Sequence, residues 1–178
     1  ILSVEVQGNS VLNITESLTI TNPSEFEDNV VVNWVSGDLN GPGILLNSGT
    51  INLSIPMDLS GSVVLNNPGA INLSNGARII IGTNSVLNNS GTGIIDFQAN
   101  GVEITKSGGA PNVLNNYGTI KTSFPNSTDE GFIGSQLINI DGVIQVESGS
   151  LNFNNTTVNL MSGTYHLFTD ATLNLNSP

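Results

Sequence analysis

A phrase of ten residues occurs four times in this chain, and it limits the fold more than any other feature. It reads VLNNYGTIKT at 113–122, with close relatives VLNNPGAINL at 64–73, VLNNSGTGII at 86–95 and LLNSGTINLS at 45–54. A catalytic motif is normally needed once, whereas a phrase that recurs every few tens of residues is typical of a structural unit. The repeats therefore predict a stack of similar units.

Each unit is predicted to contain short β-strands. Helical periodicity is nearly absent, and β-branched residues alternate with polar ones in short runs. The pattern is clearest at the C-terminus, where strands begin about every seven residues: GVIQVES, GSLNFNN, TTVNLMS, GTYHLFT and ATLNLNS, starting at 142, 149, 156, 163 and 171. Three such strands make about 21 residues, which matches the period of the repeated phrase.

The repeats predict an all-β fold, a single-stranded parallel β-helix with three short strands in each coil of 20–27 residues. We expect the coils to be right-handed. Each coil adds one strand to each of three parallel sheets and lengthens the stack by about 4.8 Å. A β-meander or sandwich is the alternative, because Asn-Gly pairs suited to hairpins occur at 40–41, 75–76 and 100–101. Such folds would not repeat one consensus at a period of three strands.

Stacked coils place equivalent residues in columns, and four columns can be assigned from the repeats. Two are predicted to be apolar and internal: one comprises Leu45, Leu65, Leu87, Leu114 and Ile138, and the other Ile51, Ile71, Ile95, Ile120 and Ile144. Asparagines that follow the first column would form a ladder of side-chain amides: Asn66, Asn88, Asn115 and Asn139. Glycines would stand at the turn, through a positive φ or because a side chain would clash: Gly49, Gly69, Gly91 (or Gly93), Gly118 and Gly142.

The repeats divide the chain into two parts. Residues 43–178 carry the regular coils, and residues 1–42 are predicted to form irregular coils or a cap that shields the end of the stack. The first part contains Trp34, the only tryptophan. The C-terminus shows no obvious cap, so we expect the chain to be a fragment of a longer protein.

The phrases LNNPGAINL, LNNSGTG and LNNYGTI resemble the degenerate repeats of bacterial cell-surface and secreted β-helix proteins. That group includes autotransporter passengers, filamentous-haemagglutinin-like exoproteins and large adhesins. The resemblance covers residues 43–178 and implies an extracellular or cell-surface location. It also implies a non-catalytic role as an adhesin-like stalk or passenger. The partners would be other segments of the same or neighbouring surface proteins, or extracellular glycans.

Composition argues against several classes of partner. The 178 residues carry 14 acidic and three basic side chains, a net charge of −11. Nucleic-acid binding depends on Lys and Arg that neutralise phosphates, so this balance argues against it and against attraction to anionic membranes. No apolar run approaches the roughly 20 residues that span a bilayer, so no direct membrane insertion is expected. The absence of cysteine excludes disulfides and thiolate chemistry.

Catalysis is the less favoured interpretation, although pectin-active enzymes share the predicted fold. Glycoside hydrolysis needs two carboxylates on one face, and Asp96 and Asp141 fall in different columns. Glu147 and the other acids fall in other strands or loops. A base or substrate clamp could come only from Arg78, Lys106 or Lys121, the three basic residues. We therefore predict no catalytic residue, and the alternative is a polysaccharide-binding or polysaccharide-degrading β-helix of the lyase or tailspike kind.

Metal binding has few candidates. His166 is the only histidine and is expected on the outer face of its strand, so no histidine cluster can form. Acidic loop clusters occur at 25–28 and 128–130, and Asp129 and Glu130 are the preferred candidates for Ca²⁺, which binds several converging oxygens. No EF-hand or GGxGxD repeat is present. No other cofactor is predicted.

Ligand binding has three aromatic candidates, Tyr117, Trp34 and Tyr165. Glycans usually meet exposed aromatic side chains, and Tyr117 lies in a predicted turn where exposure is expected. Trp34 is the second candidate, with packing in the core or at a corner as its simpler role.

Overall fold

The computed structural model describes residues 4–109, 111–154, 158–160 and 162–176, which form a parallel β-solenoid. The described residues contain 24 strands in three sheets of eight, and no helix. Each strand pairs with the strands three positions away in the chain, so one coil contributes one strand to each sheet. The predicted all-β parallel β-helix with three strands per coil is confirmed. Nothing in the described part of the chain forms a helix that could cross a membrane.

The sheets, named A, B and C in the order in which each coil enters them, contain strands of two to five residues. Sheet A contains β1 (Glu5–Val6), β4 (Ser24–Phe26), β7 (Ile44–Asn47), β10 (Val64–Asn67), β13 (Val86–Asn89), β16 (Val113–Asn116), β19 (Gln136–Asn139) and β22 (Val158–Leu160). Sheet B contains β2 (Val11–Ile14), β5 (Val31–Trp34), β8 (Thr50–Leu53), β11 (Ala70–Leu73), β14 (Ile94–Phe97), β17 (Thr119–Thr122), β20 (Gly142–Val146) and β23 (Gly163–Leu167). Sheet C contains β3 (Leu18–Thr19), β6 (Leu39–Asn40), β9 (Pro56–Ser60), β12 (Arg78–Ile81), β15 (Val102–Lys106), β18 (Glu130–Ile133), β21 (Ser150–Asn154) and β24 (Thr172–Asn176).

Strand residues alternate between the core and the outer surface, as the sequence pattern predicts. In β10, Leu65 and Asn67 are buried, whereas Val64 and Asn66 are partly exposed. The corners between strands hold residues that tolerate turn geometry; Asn29, for example, has a φ of 67°. The outward residues of each sheet therefore line up along the solenoid and form its accessible faces.

The core is one apolar cluster that runs along the solenoid. In sheet B the predicted isoleucine column is confirmed, because backbone pairing stacks Ile51, Ile71, Ile95, Ile120 and Ile144. All five side chains are at most 1% exposed. Burying one such side chain contributes about 1.5–3 kcal/mol, so the columns hold successive coils together.

The predicted leucine column of sheet A is confirmed for four members and wrong for the fifth. Pairing stacks Leu45, Leu65, Leu87 and Leu114. Leu114 then pairs with Leu137, which is fully buried, whereas Ile138 lies on the outer face. The physical reason is a corner after β19 that has one more residue before its glycine than the corner after β16. Aligning the repeats on glycine therefore shifts β19 by one residue.

The described part of residues 1–42, predicted as irregular coils or a cap, belongs to the same three sheets. Strands β1 to β6 pair in parallel with β4 to β9. Trp34 stacks on Leu53 in the core, and its Nε1 donates to the carbonyl of Gly37 at 2.8 Å. The sheets run past residue 42 without a break, so this segment forms coils of the same solenoid with strands of two to four residues.

Candidate functional site

In the coils from β7 to β20 a glycine stands where the chain turns from sheet A into sheet B, because neighbouring coils approach too closely there for a side chain. The turn between β4 and β5 contains no glycine. A Cβ atom would lie within 2.7 Å of a carbonyl oxygen of the preceding coil at Gly49, Gly69, Gly118 and Gly142. None of these four has a positive φ, so crowding and not a left-handed conformation requires glycine. The assignment of Gly91 to this column is wrong: a Cβ there would meet nothing within 4 Å, whereas one at Gly93 would strike the Asn67 carbonyl oxygen.

Five buried asparagines next to these glycines form a continuous amide ladder: Asn47, Asn67, Asn89, Asn116 and Asn139. Each Nδ2 from Asn47 to Asn116 donates to the Oδ1 of the next asparagine at 2.7–2.9 Å. The same Nδ2 atoms also donate to carbonyl oxygens at the start of sheet B strands, at 3.1–3.3 Å. The ladder therefore joins sheet A to sheet B in every coil it crosses.

The two ends of this buried ladder differ. Asn139 donates to the Tyr165 hydroxyl at 3.1 Å and to the carbonyl of Ser162 at 3.2 Å. At the other end the Oδ1 of Asn47 is buried without a hydrogen-bond partner, because Phe26 occupies the equivalent position in the preceding coil. The first asparagine of the ladder, Asn47, is therefore stacked on an aromatic residue and not on another amide.

A second ladder runs along the outer face of sheet A. Asn88 donates to Asn66 and Asn115 donates to Asn88, both at 2.8 Å, as expected. The fourth predicted member is wrong: Asn139 belongs to the buried ladder, and Ile138 occupies the outer position. The register error in β19 has the same cause as the error in the leucine column.

The outer face of sheet A is uncharged over five consecutive strands. The outward residues of β7, β10, β13, β16 and β19, which we call the uncharged stripe, are Ile44, Leu46, Val64, Asn66, Val86, Asn88, Val113, Asn115, Gln136 and Ile138. The corners before and after these five strands also contain no charged residue, as far as Ile140 after β19. All 17 charged side chains of the chain thus lie outside this region.

A third ladder crosses the outer face of sheet B and is followed in its column by two charged residues. Asn13, Asn33, Asn52 and Asn72 are joined by side-chain hydrogen bonds of 2.9–3.1 Å. The next residues of the column are Asp96, Lys121, Gln145 and His166. The column is therefore all asparagine in its first half, and in its second half it contains the charged Asp96 and Lys121 together with Gln145 and His166.

Lys121 brings two carboxylates together on this face. Its Nζ lies 3.4 Å from Oδ2 of Asp96 and 3.9 Å from Oε1 of Glu147. Asp96 is 8% exposed at its side chain and also accepts from Ser123 Oγ at 2.7 Å and from Gln98 Nε2 at 3.0 Å. The sequence did not predict that Glu147 joins this group. The signal was available, because Glu147 follows Gln145 by two residues and so shares its face.

The remaining predicted residues are scattered. Trp34 is 1% exposed, so its ring offers no surface to a ligand. Tyr117 is 44% exposed at the corner between sheets A and B and borders the uncharged stripe. His166 lies exposed on the outer face of sheet B, as its alternation predicts. Tyr165, on β23, is 37% exposed. A glycan could therefore reach Tyr117 and Tyr165 but not Trp34.

The candidate metal ligands do not converge. Oδ2 of the buried Asp129 accepts from the backbone N–H and the Nδ2 of Asn126, both at 3.1 Å, which holds a loop turn. Glu130 is exposed, and its backbone N–H donates to Asn100 Oδ1 at 2.9 Å. Among residues 4–109, 111–154, 158–160 and 162–176, no three acidic or histidine side chains are grouped to hold a metal ion.

Two aspartates meet on the outer face of sheet C, where Asp38 and Asp58 occupy neighbouring coils. The Oδ1 of Asp38 accepts from the backbone N–H of Asp58 at 3.1 Å. Burial raises the pKa of Asp58 above its usual value, and the charge of Asp38 raises it further. Ionised Asp58 is thus less favourable in the folded than in the unfolded chain.

We expect Asp58→Asn to stabilise the protein at neutral pH. The pKa of Asp58 is higher in the folded than in the unfolded chain, so ionised Asp58 lowers the stability of the folded protein. This loss of stability is fully present above the folded pKa and disappears as the pH falls below the unfolded pKa of about 3.9. Thermal unfolding at pH 7 should show a higher midpoint for the variant, and the difference should vanish in acid. The control Glu130→Gln removes an exposed charge and should leave the midpoint nearly unchanged. A gain that persists in acid would contradict the electrostatic cause.

No protein family, no curated protein and no solved structure matches this chain.

Proposed function

We propose that this chain is a rigid, non-catalytic structural and interaction segment of a secreted or cell-surface bacterial protein. We further propose that it packs side by side with a second copy of the same solenoid through the uncharged stripe. The single observation that carries this proposal is the absence of charge from five consecutive outer strands in a chain of net charge −11.

Charge repulsion selects the face through which two copies can meet. The outer face of sheet B carries Asp96, Lys121 and Glu147, and that of sheet C carries Asp58 and the ion pair of Arg78 with Glu103. A contact through sheet A directs these groups away from the partner, and physiological salt screens charges beyond about 8 Å. The stripe is therefore the face on which like-charged copies repel least.

The chemistry of the stripe suits a flat contact between sheets. Its aliphatic side chains stack beside the outer amide ladder, and Ile44 is 43% exposed. Five strands span about 24 Å along the solenoid and four residues span about 13 Å across it. A patch of that size, roughly 300 Å² on each copy, is smaller than a standard specific interface, so association through this segment alone is expected to be weak and reversible. Further coils would strengthen it through multivalency.

Stiffness is supported by the internal contacts. The buried ladder, the outer ladders and the apolar columns each link a coil to the next. Bending the solenoid would stretch several of these contacts at once, since residues of adjacent coils stack in register. Such a rod suits a role in spacing or presentation, as the resemblance to surface proteins implies.

Sedimentation velocity over a concentration series tests the proposed packing with a matched pair of variants. The wild type is expected to shift towards a dimer as its concentration rises, and added salt should not weaken the association. Val86→Lys, in the centre of the stripe, should remain monomeric. Val143→Lys changes a partly exposed valine of β20 on sheet B and alters the net charge equally, so it should behave as the wild type.

A wild type that stays monomeric at every concentration would refute the packing proposal, as would equal effects of the two lysines. The thermal midpoints of both variants must match the wild type, so that a folding defect is recognised. Dimerisation that falls with salt would instead indicate a contact between charged faces.

The second candidate function is polysaccharide binding or degradation, favoured by the exposed Tyr117 beside the stripe and by Asp96 and Glu147 on one face. An aromatic side chain beside amides can stack on a sugar ring and hydrogen-bond its hydroxyl groups. The sedimentation series separates the two candidates, because a glycan-binding solenoid needs no self-association. Depolymerisation of an acidic polysaccharide by the chain would overturn the structural role.

A further inference from the structure

The three Asn-Gly pairs of the chain have different surroundings, and one of them is unprotected. Asn75 and Gly76 form the turn between β11 and β12 and are both exposed, with φ of 50° and 78°. The turn is closed by the Ala77 N–H donating to the Ser74 carbonyl at 2.9 Å. Neither the Gly76 N–H nor the Asn75 side chain makes a hydrogen bond to a described residue, and a Cβ at Gly76 would meet nothing within 4 Å.

The other two pairs are held by the neighbouring coil. The Gly101 N–H donates to the Glu130 carbonyl at 2.7 Å, and the Glu130 N–H donates to Asn100 Oδ1 at 2.9 Å. Glu130 thus holds both the backbone nitrogen of Gly101 and the side-chain amide of Asn100 in place.

The pair at 40–41 is fixed in the same way by Ser60. The Gly41 N–H donates to the Ser60 carbonyl at 3.1 Å, and the Ser60 hydroxyl donates to Asn40 Oδ1. Opening either protected pair requires two hydrogen bonds to break together, whereas Asn75 needs only rotation within an exposed turn.

We propose that Asn75 is a site of spontaneous covalent modification, the deamidation of an asparagine through a succinimide. The backbone nitrogen of Gly76 attacks Cγ of Asn75, a C–N bond forms, the bond from Cγ to Nδ2 breaks, and ammonia leaves with the displaced proton. Water then opens the five-membered ring at either carbonyl and yields aspartate or isoaspartate. No oxidant, reductant or further reactant is needed.

Glycine after the asparagine makes the attack accessible, because no Cβ obstructs the approach of its nitrogen and its backbone is free to rotate. The product adds one negative charge to the corner between sheets B and C. Isoaspartate also lengthens the main chain by one atom between Ser74 and Ala77. The change stays within an exposed turn, so the coils on either side keep their pairing and the modified protein remains folded.

Peptide mapping by mass spectrometry after prolonged incubation at mildly alkaline pH tests this inference. In the folded protein the peptide that contains Asn75 is expected to lose its amide at least about tenfold faster than those with Asn40 or Asn100, since each of these must first open locally. In concentrated urea all three should convert at similar rates. Asn75→Gln, whose longer side chain forms no five-membered ring, should abolish the change at that turn.

Two results would overturn the proposal. One is conversion of Asn40 or Asn100 in the folded protein as fast as that of Asn75. The other is an intact Asn75 in the folded protein when the unfolded chain converts it readily. Circular dichroism of the incubated wild type keeps the comparison valid, because it shows whether the solenoid stayed folded throughout.

Discussion

Replacing Asn89 by alanine is expected to lower the free energy of unfolding by about 3–5 kcal/mol. Asn89 is fully buried in the middle of the inner ladder. Its Nδ2 donates to Asn116 Oδ1 at 2.8 Å and to the Thr119 carbonyl at 3.1 Å, and its Oδ1 accepts from Asn67 at 2.9 Å. The substitution leaves Asn116 Oδ1 without a donor in the core and takes a side-chain donor from the Thr119 carbonyl. Asn67 Nδ2 loses one of its two acceptors and keeps the Ile94 carbonyl. Each buried group left unsatisfied costs about 1–3 kcal/mol, and the cavity left by the side chain adds to the loss.

The neighbouring residue supplies a matched control. Asn88→Ala removes an amide from the outer ladder, where Asn88 donates to Asn66 at 2.8 Å and water can reach the groups left behind. We expect it to cost less than about 1 kcal/mol. Urea denaturation of both variants measures the difference, with unchanged m-values showing that the unfolded state is the same. Similar losses for Asn88 and Asn89 would show that the inner ladder has no special weight.

The fold of this chain was predictable because similar residues recur in its sequence with the period of one coil. The positions of Leu65 and Ile71 are occupied by leucine and isoleucine in the neighbouring coils as well. A parallel β-helix stacks equivalent residues of successive coils, so such recurrence is the pattern that it produces. The internal columns therefore follow from spacing alone as long as the corners have equal lengths. Ile138 was wrongly assigned to the leucine column because the corner between β19 and Gly142 has one more residue than the corner after β16. The repeated phrase does not show whether that extra residue belongs to the strand or to the corner.

The ladders were only partly predictable, for a physical reason that is visible at Asn66 and Asn67. Adjacent strand residues point to opposite faces, so one of two neighbouring asparagines must be buried. Hydropathy does not say which one, because asparagine is a polar residue and its burial is favourable only when its amide finds partners. Those partners are the asparagines and carbonyl groups of other coils, and they are known only when the register is known.

The grouping of Asp96, Lys121 and Glu147 depends on register in the same way. The three residues are far apart in the sequence and meet because their strands occupy successive places in sheet B. A shift of one residue in β20 would send Gln145 inward and remove Glu147 from this face. Which side chains meet on the surface of a solenoid can therefore be predicted only when the register of every strand is known.

The uncharged stripe connects the repeated phrase to the proposed packing. The residues that build the inner ladder, the outer ladder and the corner glycines are all uncharged. They recur in every phrase, except that Leu46 takes the place of the outer asparagine in the phrase at 45–54. The outer face built from these amides and from aliphatic side chains carries no charge, while Glu and Asp are confined to sheets B and C, to the corners and loops, and to the first strands of sheet A. Stability within one solenoid and low repulsion between two solenoids thus have the same origin.

Gly93→Ala is expected to destabilise the protein by about 3 kcal/mol or more, although it adds a single methyl group. A Cβ at this position would strike the Asn67 carbonyl oxygen and lie 2.5 Å from Asn89 Oδ1, so the coil or the ladder must move. The φ of Gly93 is not positive, which leaves crowding as the cause. Gly91→Ala is the control two residues away: open space surrounds it, and it should change stability by less than about 1 kcal/mol. Denaturation midpoints that fall equally for both variants would mean that this corner needs glycine for its backbone and not for the contact between coils.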